Sequence, residues 1–172
     1  FDFVICNGVL HHTKNSFDAY NFCLKLLKED GYILIGLYNS IGRIRTKFRG
    51  LLYKFFGKKY LMFFDPVLRK INTQSGKKID AWIKDQYIHP VERSHSFDEI
   101  LNWFKKTKIK FINSYPSCDF FKSVKTENHL QTLFNQGVEA NSFERVLSQI
   151  QMIFTRPGSE GGLFFFLRKK KK

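Results

Sequence analysis

Two continuous apolar runs separated by one amphipathic helix constrain the fold of this chain more than any other feature. The first run is FDFVIC at residues 1–6, and the second is YILIGL at residues 32–37. Between them, apolar residues recur at steps of three and four over 17–28, which predicts a helix capped by Ser16 and ended at Gly31. Strands without polar alternation are typical of a parallel sheet covered on both faces. The sequence therefore predicts a strand, a crossover helix and a strand, the βαβ unit of an α/β fold.

The rest of the chain reads as mostly helical, with two further strands. Residues 41–71 predict two basic helices separated by Gly57, and we expect their aromatic residues over 48–64 to pack as core or lid. Ser96 and Glu99 form a capping box that opens another helix. Further helices are predicted at about 77–87, 127–136 and 143–154, and further strands at 109–112 and 163–167.

The loops that follow the first two strands are the places to expect a ligand. They are Asn7–Ser16 and Tyr38–Gly42. In open α/β sheets, ligands bind beyond the carboxyl ends of the strands. We therefore expect the functional site to lie at this end of the predicted sheet.

Several phrases of the sequence resemble the second half of the class I S-adenosylmethionine-dependent methyltransferases. The run FDFVICNGVLHHT is similar to that family's fourth strand and the loop after it, and LKEDG at residues 27–31 stands where the family has LKPGG. The stretch GLYNSIGR at residues 36–43 resembles the GLYxxxGR of one branch. The resemblance implies an α/β fold with a partial doubly wound, Rossmann-like methyltransferase sheet, strands four to seven, and a helical insertion.

The glycine-rich loop that wraps the cofactor in this family is missing from the sequence. No GxGxG follows any predicted strand, and the chain opens at the equivalent of strand four. We therefore expect residues 1–172 to be the C-terminal part of one methyltransferase-like domain, with a helical lid insertion over 44–95 and a second helical insertion over 117–160. We expect methyltransferase activity of the full-length protein and no activity of the isolated chain.

The resemblance also implies a cofactor, S-adenosyl-L-methionine, and residues that would contact it. These cofactor-binding candidates are Asn7 and Gly8, with Val9 and Leu10 as an apolar wall. The candidates for contact with the methyl acceptor are Tyr38, Asn39, Arg43 and Tyr87.

Three residues of these loops and of the later polar segment are candidates for catalysis. The candidates are His11, Tyr38 and His89. Alternatively, one of His11 and His12 caps the strand and the other faces solvent, Tyr38 is a satisfied loop tyrosine, and His89 belongs to a polar junction between a helix and a loop. The residues His89, Glu92 and His95 imitate a set of metal ligands, but Pro90 prevents regular helical spacing across them, and we expect no metal site.

Charge distinguishes this chain from an average globular domain. It has 29 Lys and Arg against 15 Asp and Glu, a formal net charge of +14. Such a charge is typical of a protein with an anionic partner; alternatively, since 21 of the 29 are Lys, it reflects a lysine-rich genome. The methyl acceptor is left open between a small molecule, a lipid and RNA such as a modified tRNA base, and the oligomeric state is open as well. Four basic residues at the start of the first basic helix would either hold a phosphate or RNA backbone or form a solvated helix face, namely Arg43, Arg45, Lys47 and Arg49.

Two other classes of function compete with the methyltransferase. One is a basic RNA-binding module on a methyltransferase-like scaffold. The other is a nicotinamide-dependent enzyme, although the GxGxxG that it needs is not found.

We expect no membrane insertion, since no run of about 18 apolar residues occurs. An odd count of three cysteines without a CxxC pair favours a reducing, cytoplasmic location.

Overall fold

The computed structural model describes residues 1–71, 76–88, 91–121, 135–154 and 162–169. The strands are β1 (Phe3–Asn7), β2 (Tyr32–Tyr38), β3 (Ile109–Tyr115) and β4 (Gly162–Lys169). The helices are α1 (Ser16–Lys25), α2 (Ile44–Phe64), α3 (Pro66–Ile71), α4 (Gly76–Tyr87), α5 (Phe97–Thr107) and α6 (Ser142–Phe154), with a 3₁₀ turn at Leu10–His12. The helix predicted at 127–136 lies outside the described residues.

The four strands form one mixed sheet in the order β1-β2-β4-β3. β1 and β2 are parallel, as predicted, with Phe3 opposite Tyr32. β4 is antiparallel to both of its neighbours, β2 and β3. The α/β fold class predicted from the sequence is therefore confirmed, with the βαβ unit at one side of the sheet.

The start of α1 differs by one residue from the prediction. Asn15, not Ser16, is the N-cap, and its Oδ1 accepts hydrogen bonds from the backbone N–H groups of Phe17 (3.0 Å) and Asp18 (3.3 Å). Ser16 is instead the first residue of the helix and is buried. Both residue types suit an N-cap, so the sequence alone does not decide between adjacent positions.

One face of the sheet packs against helices and carries the main core. Its buried aromatic and aliphatic side chains come from β2, β4, α1 and α5, among them Ile33, Phe165, Tyr20, Phe97 and Phe104. The rings of Phe97 and Phe104 both pack edge to face on Phe165, at 5.8 and 5.3 Å between centroids.

The expectation that both faces of the sheet are covered is wrong for β1 within the described residues. Phe3 and Ile5 point to the second face, where they are 43% and 62% exposed. A groove of about 420 Å³ crosses this face, and Tyr32 and Phe166 stack in it at 5.4 Å between ring centroids. β1 therefore has a helix-covered face and an open apolar face.

The chain divides into two compact units, Arg43–Pro90 and the remainder, and the smaller one is helical. Its organising side chain is Asp65, which is fully buried between α2 and α3. Oδ1 of Asp65 accepts from the backbone N–H of Val67 at 2.7 Å, and Oδ2 accepts from Trp82 Nε1 and Tyr87 Oη, both at 2.8 Å. One carboxylate thus caps α3 and attaches α4 to it.

Within this helical unit, α2 departs from the predicted packing. Gly57 interrupts it with φ 74° and ψ −170°, so the predicted break is confirmed. Of the seven aromatic residues over 48–64, six are exposed and so do not pack as core, namely Phe48, Phe55, Phe56, Tyr60, Phe63 and Phe64, whereas Tyr53 is half-buried against the apolar cluster of this unit. The polar residues Thr46 and Arg49 of the same helix are buried.

Candidate functional site

The loop after β1 presents open backbone at the carboxyl end of the sheet. β1 ends at Asn7, and Gly8 follows with φ +73°, a conformation that favours glycine. The Gly8 N–H donates to Gly36 O on β2 at 3.2 Å, which holds the loop against the neighbouring strand. A side-chain carbon added at Gly8 would meet nothing within 4 Å. The backbone here is therefore accessible to a ligand.

Of the four residues predicted to contact a cofactor, three are exposed and one is not. Asn7, Gly8 and Val9 are exposed. Leu10 differs from the expected apolar wall, because its side chain is buried in the core below the loop. Leu10 therefore supports the loop from within, and Val9 alone offers an exposed apolar surface.

Two of the three catalytic candidates meet in an aromatic cluster. The rings of His11 and Tyr38 lie 3.9 Å apart between centroids, and the ring of His12 lies 4.3 Å from that of His11. The backbone of this cluster is tied to the segment before α5, since Arg93 N donates to His11 O at 2.8 Å. His89, the third candidate, lies outside the described residues.

The position of each ring limits what it can do chemically. His11 is buried and Tyr38 is half-buried, so Tyr38 is the more accessible of the two. A general base must reach the proton that it removes. The geometry therefore suits Tyr38 for contact with a bound molecule and His11 for holding the Tyr38 ring in place.

Asn39, the residue after β2, is the centre of a buried hydrogen-bond network. Its Oδ1 accepts from the backbone N–H groups of Ile41 (3.1 Å) and Gly42 (2.7 Å). Its Nδ2 donates to His95 O (3.1 Å) and to Gln149 Oε1 (2.9 Å). Because the side chain is fully buried and both polar atoms are engaged, Asn39 shapes the loop after β2 from within.

His95 extends this network to two helices. Its Nδ1 lies 2.9 Å from Glu99 Oε1 on α5, and its Nε2 lies 3.2 Å from Ser16 Oγ on α1. The ring also packs on Trp103, 5.0 Å between centroids. His95 is therefore a buried, oriented side chain that joins α1 and α5 beneath the two loops.

Sequence reasoning missed three members of this network, Ser16, Gln149 and the structural role of His95. Gln149 Oε1 also accepts from Phe97 N at 3.1 Å, so it joins the loop after β2 to the start of α5. Gln149 is 110 residues from Asn39 along the chain. Gln149 lies off the exposed apolar stripe of α6, which consists of Phe143, Val146, Ile150 and Phe154, so no local pattern in the sequence indicated its role.

Two acceptor candidates belong to the helical unit. Arg43 is buried, and its Nη1 donates to Gln86 Oε1 at 2.9 Å. The Tyr87 hydroxyl donates to Asp65 Oδ2, as described above. Arg49 is buried as well, whereas Arg45 and Lys47 are exposed. The solvated-face interpretation therefore fails for Arg43 and Arg49.

Cys6 and Cys118 are not activated thiols. Burial raises the pKa of Cys6 on β1 to about 11, and the neighbouring Cys23 adds to the shift. Burial also raises the pKa of Cys118 to about 12. Both thiols are protonated at neutral pH, which does not favour nucleophilic chemistry.

In the described ranges, no three His, Cys, Asp or Glu residues lie close enough together to bind a metal ion.

Comparison with solved structures identifies the fold. The chain is similar to PKMT2 from Rickettsia typhi, with a TM-score of 0.60 and 14% identity over 97% of this chain and 35% of that one. For PKMT2 in complex with AdoHcy, the TM-score is 0.61 at 14% identity, over 100% of this chain and 36% of that one. No protein-family model and no curated protein matches the sequence. The chain thus spans about a third of the length of these neighbours, and its mixed α/β sheet with helices matches part of a methyltransferase fold.

Proposed function

We propose that the protein is an S-adenosylmethionine-dependent methyltransferase. The observation that carries this proposal is the likeness to a structure in complex with AdoHcy, the demethylated form of that cofactor. The open loop after β1 supports it from the chain's own geometry. S-adenosylmethionine supplies a methyl group on a positively charged sulfur, ready for in-line displacement.

The residues present fit a cofactor of this kind. The space beside Gly8 admits a ligand against the backbone, and the exposed Val9 offers an apolar contact for a ring. Asn7 adds an exposed amide that can both donate and accept hydrogen bonds. In this proposal Asn7, Gly8 and Val9 contact the cofactor, and Leu10 acts by anchoring their loop in the core.

Methyl transfer from a sulfonium depends on alignment and on exclusion of water more than on a covalent catalyst. Tyr38 is suited to orient the acceptor because its ring is held by His11 and its carbonyl accepts from His95 N at 2.8 Å. Asn39 is a positioning residue in this scheme, since its amide fixes the turn that follows Tyr38. Acceptor contacts by Arg43 and Tyr87 remain predictions.

Calorimetric titration of the protein with AdoHcy tests the proposal. Gly8→Val should weaken binding by about tenfold or more, because a branched side chain fills the open space and strains a positive φ. In Gly8→Asn a side chain also fills the space, but asparagine tolerates a positive φ. A loss of affinity in this variant would therefore come from crowding of the ligand and not from backbone strain. Gly57→Val is the matched control, since it places the same side chain at φ +74° in α2.

Two results would contradict the proposal. One is AdoHcy affinity that is unchanged in Gly8→Val, which would remove this loop from the site. The other is binding of a nicotinamide dinucleotide, or of RNA, by a protein that does not bind AdoHcy.

A further inference from the structure

The outward face of α2 is apolar over its first three turns. Ile44, Phe48, Leu51 and Phe55 follow one another at steps of four, three and four residues, so they form one stripe along the helix. Each is between 49% and 74% exposed. Scattered exposed apolar residues are ordinary, but a continuous stripe marks an interaction surface. We call these four residues the α2 stripe.

The opposite face of α2 makes this arrangement unusual. Thr46 and Arg49, which are polar, are buried on that side. The usual amphipathic helix does the reverse and turns its apolar side chains inward. Beyond Gly57 the exposed apolar surface continues with Phe63 and Phe64, and a groove of about 320 Å³ lies between Phe48, Leu52 and Phe64.

Positive charge surrounds the α2 stripe. Helix α2 has six Lys and Arg and no Asp or Glu. Lys47 and Lys54, seven residues apart and both exposed, follow one border of the stripe. The helical unit as a whole, residues 43–90, has twelve Lys and Arg against three Asp, a net charge of +9, whereas the other 124 residues carry +5. Charge is thus concentrated where the apolar surface is exposed.

We propose that the α2 stripe and its flanking lysines dock the protein on an anionic phospholipid membrane surface. An interfacial helix combines Phe and Leu on one face with Lys and Arg beside them, so that the rings enter the headgroup region and the lysines contact lipid phosphates. Within the described ranges, no helix is long and apolar enough to cross a membrane, so the contact is with the surface.

Two other occupants fit the surface less well. A second copy of the chain would bring two helical units of net charge +9 together, which like-charge repulsion disfavours. Single-stranded RNA would use aromatic rings as stacking platforms, but Ile44 and Leu51 in the stripe do not stack on bases. Phospholipid supplies both the apolar layer and the negative charge that the surface requires.

Co-sedimentation with vesicles tests this inference independently of methyl transfer. The protein should bind vesicles of phosphatidylcholine and phosphatidylglycerol in equal parts and should not bind vesicles of phosphatidylcholine alone. Phe48→Ser with Phe55→Ser should lower partition by at least about tenfold, since two exposed rings no longer enter the interface. Lys47→Gln with Lys54→Gln should lower it about thirtyfold.

Matched controls come from the larger unit. Phe143→Ser with Phe154→Ser removes two rings of similar exposure from α6, and Lys25→Gln with Lys105→Gln removes two exposed charges. Both control variants should bind the anionic vesicles as the unmodified protein does. A Phe55→Trp variant gives a second readout and keeps an aromatic ring at this position. Its tryptophan fluorescence should shift to shorter wavelength when anionic vesicles are added, because the ring enters the less polar interface.

Three outcomes would overturn the inference. The first is no binding to anionic vesicles together with no emission shift of the Phe55→Trp variant. The second is equal partition of Phe48→Ser/Phe55→Ser and the unmodified protein. The third is loss of a different interaction in this double-serine variant while vesicle binding persists. If the variant converts a dimer to a monomer, the α2 stripe binds a second copy of the chain, and if it abolishes RNA binding, the α2 stripe binds RNA.

Discussion

Replacement of Asn39 by alanine should destabilise the protein by about 4 kcal/mol. The side chain is fully buried and makes four hydrogen bonds, to the N–H groups of Ile41 and Gly42, to His95 O and to Gln149 Oε1. Each such bond contributes about 0.5–1.5 kcal/mol net, and buried partners left unpaired add to the loss. The expected loss is a large share of a typical stability of about 5–15 kcal/mol.

Urea unfolding followed by circular dichroism measures this loss directly. The midpoint should fall while the dependence on urea stays the same, because the substitution changes stability and not the area exposed on unfolding. Asn102→Ala is the matched control, since Asn102 is exposed on α5 and its loss should change stability by less than about 0.5 kcal/mol. A loss below about 1 kcal/mol for Asn39→Ala would refute the reasoning, since the network would then not hold the loop after β2.

Three further substitutions test other parts of the structure. Burial raises the pKa of the Cys118 thiol from 9.0 to about 12. Between these two pH values the thiol is protonated in the folded chain and ionised in the unfolded chain, so the free energy of unfolding is unaffected below pH 9 and falls as the pH rises toward 12. Cys118→Ser should therefore flatten the alkaline decline by about 1.4 kcal/mol per pH unit in that window, measured by urea unfolding at several pH values. Asp65→Asn should cost about 2–4 kcal/mol in thermal or urea unfolding, because an amide NH2 donor replaces either Oδ1, which accepts from Val67 N, or Oδ2, which accepts from Trp82 and Tyr87. Ser96→Ala should cost about 1 kcal/mol by the same measurement, since Glu99 N loses its N-cap acceptor; no loss would place the cap elsewhere.

Local patterns in the sequence predicted the elements that depend on local chemistry. The apolar runs gave β1 and β2 within a residue or two, and the capping box at Ser96 gave the start of α5. The turn before β2 depends on local chemistry as well, because Asp30 takes φ +59° there, a conformation that aspartate tolerates in turns. These features depend on neighbours along the chain, which a single sequence displays.

Features that depend on distant residues could not be predicted in this way. Leu10 follows an exposed valine in a loop, and only the packing of α1 and the sheet places it in the core. Asn39 was a reasonable candidate for ligand contact, but its partner Gln149 lies on a helix 110 residues away. The aromatic residues of α2 have the composition of a core, and only the folded unit shows that six of the seven are exposed.

The place of β4 in the sheet has a consequence for folding during synthesis. β4 follows the other three strands in the chain but lies between β2 and β3, pairing Phe166 with both Leu34 and Asn113. The two halves of the described sheet are therefore joined only when residues 162–169 have left the ribosome. At about 5–20 residues per second, the segment between β3 and β4 takes several seconds to make. During that time β2 and β3 each present an unfinished edge, and a chaperone or a neighbouring nascent chain can pair there first.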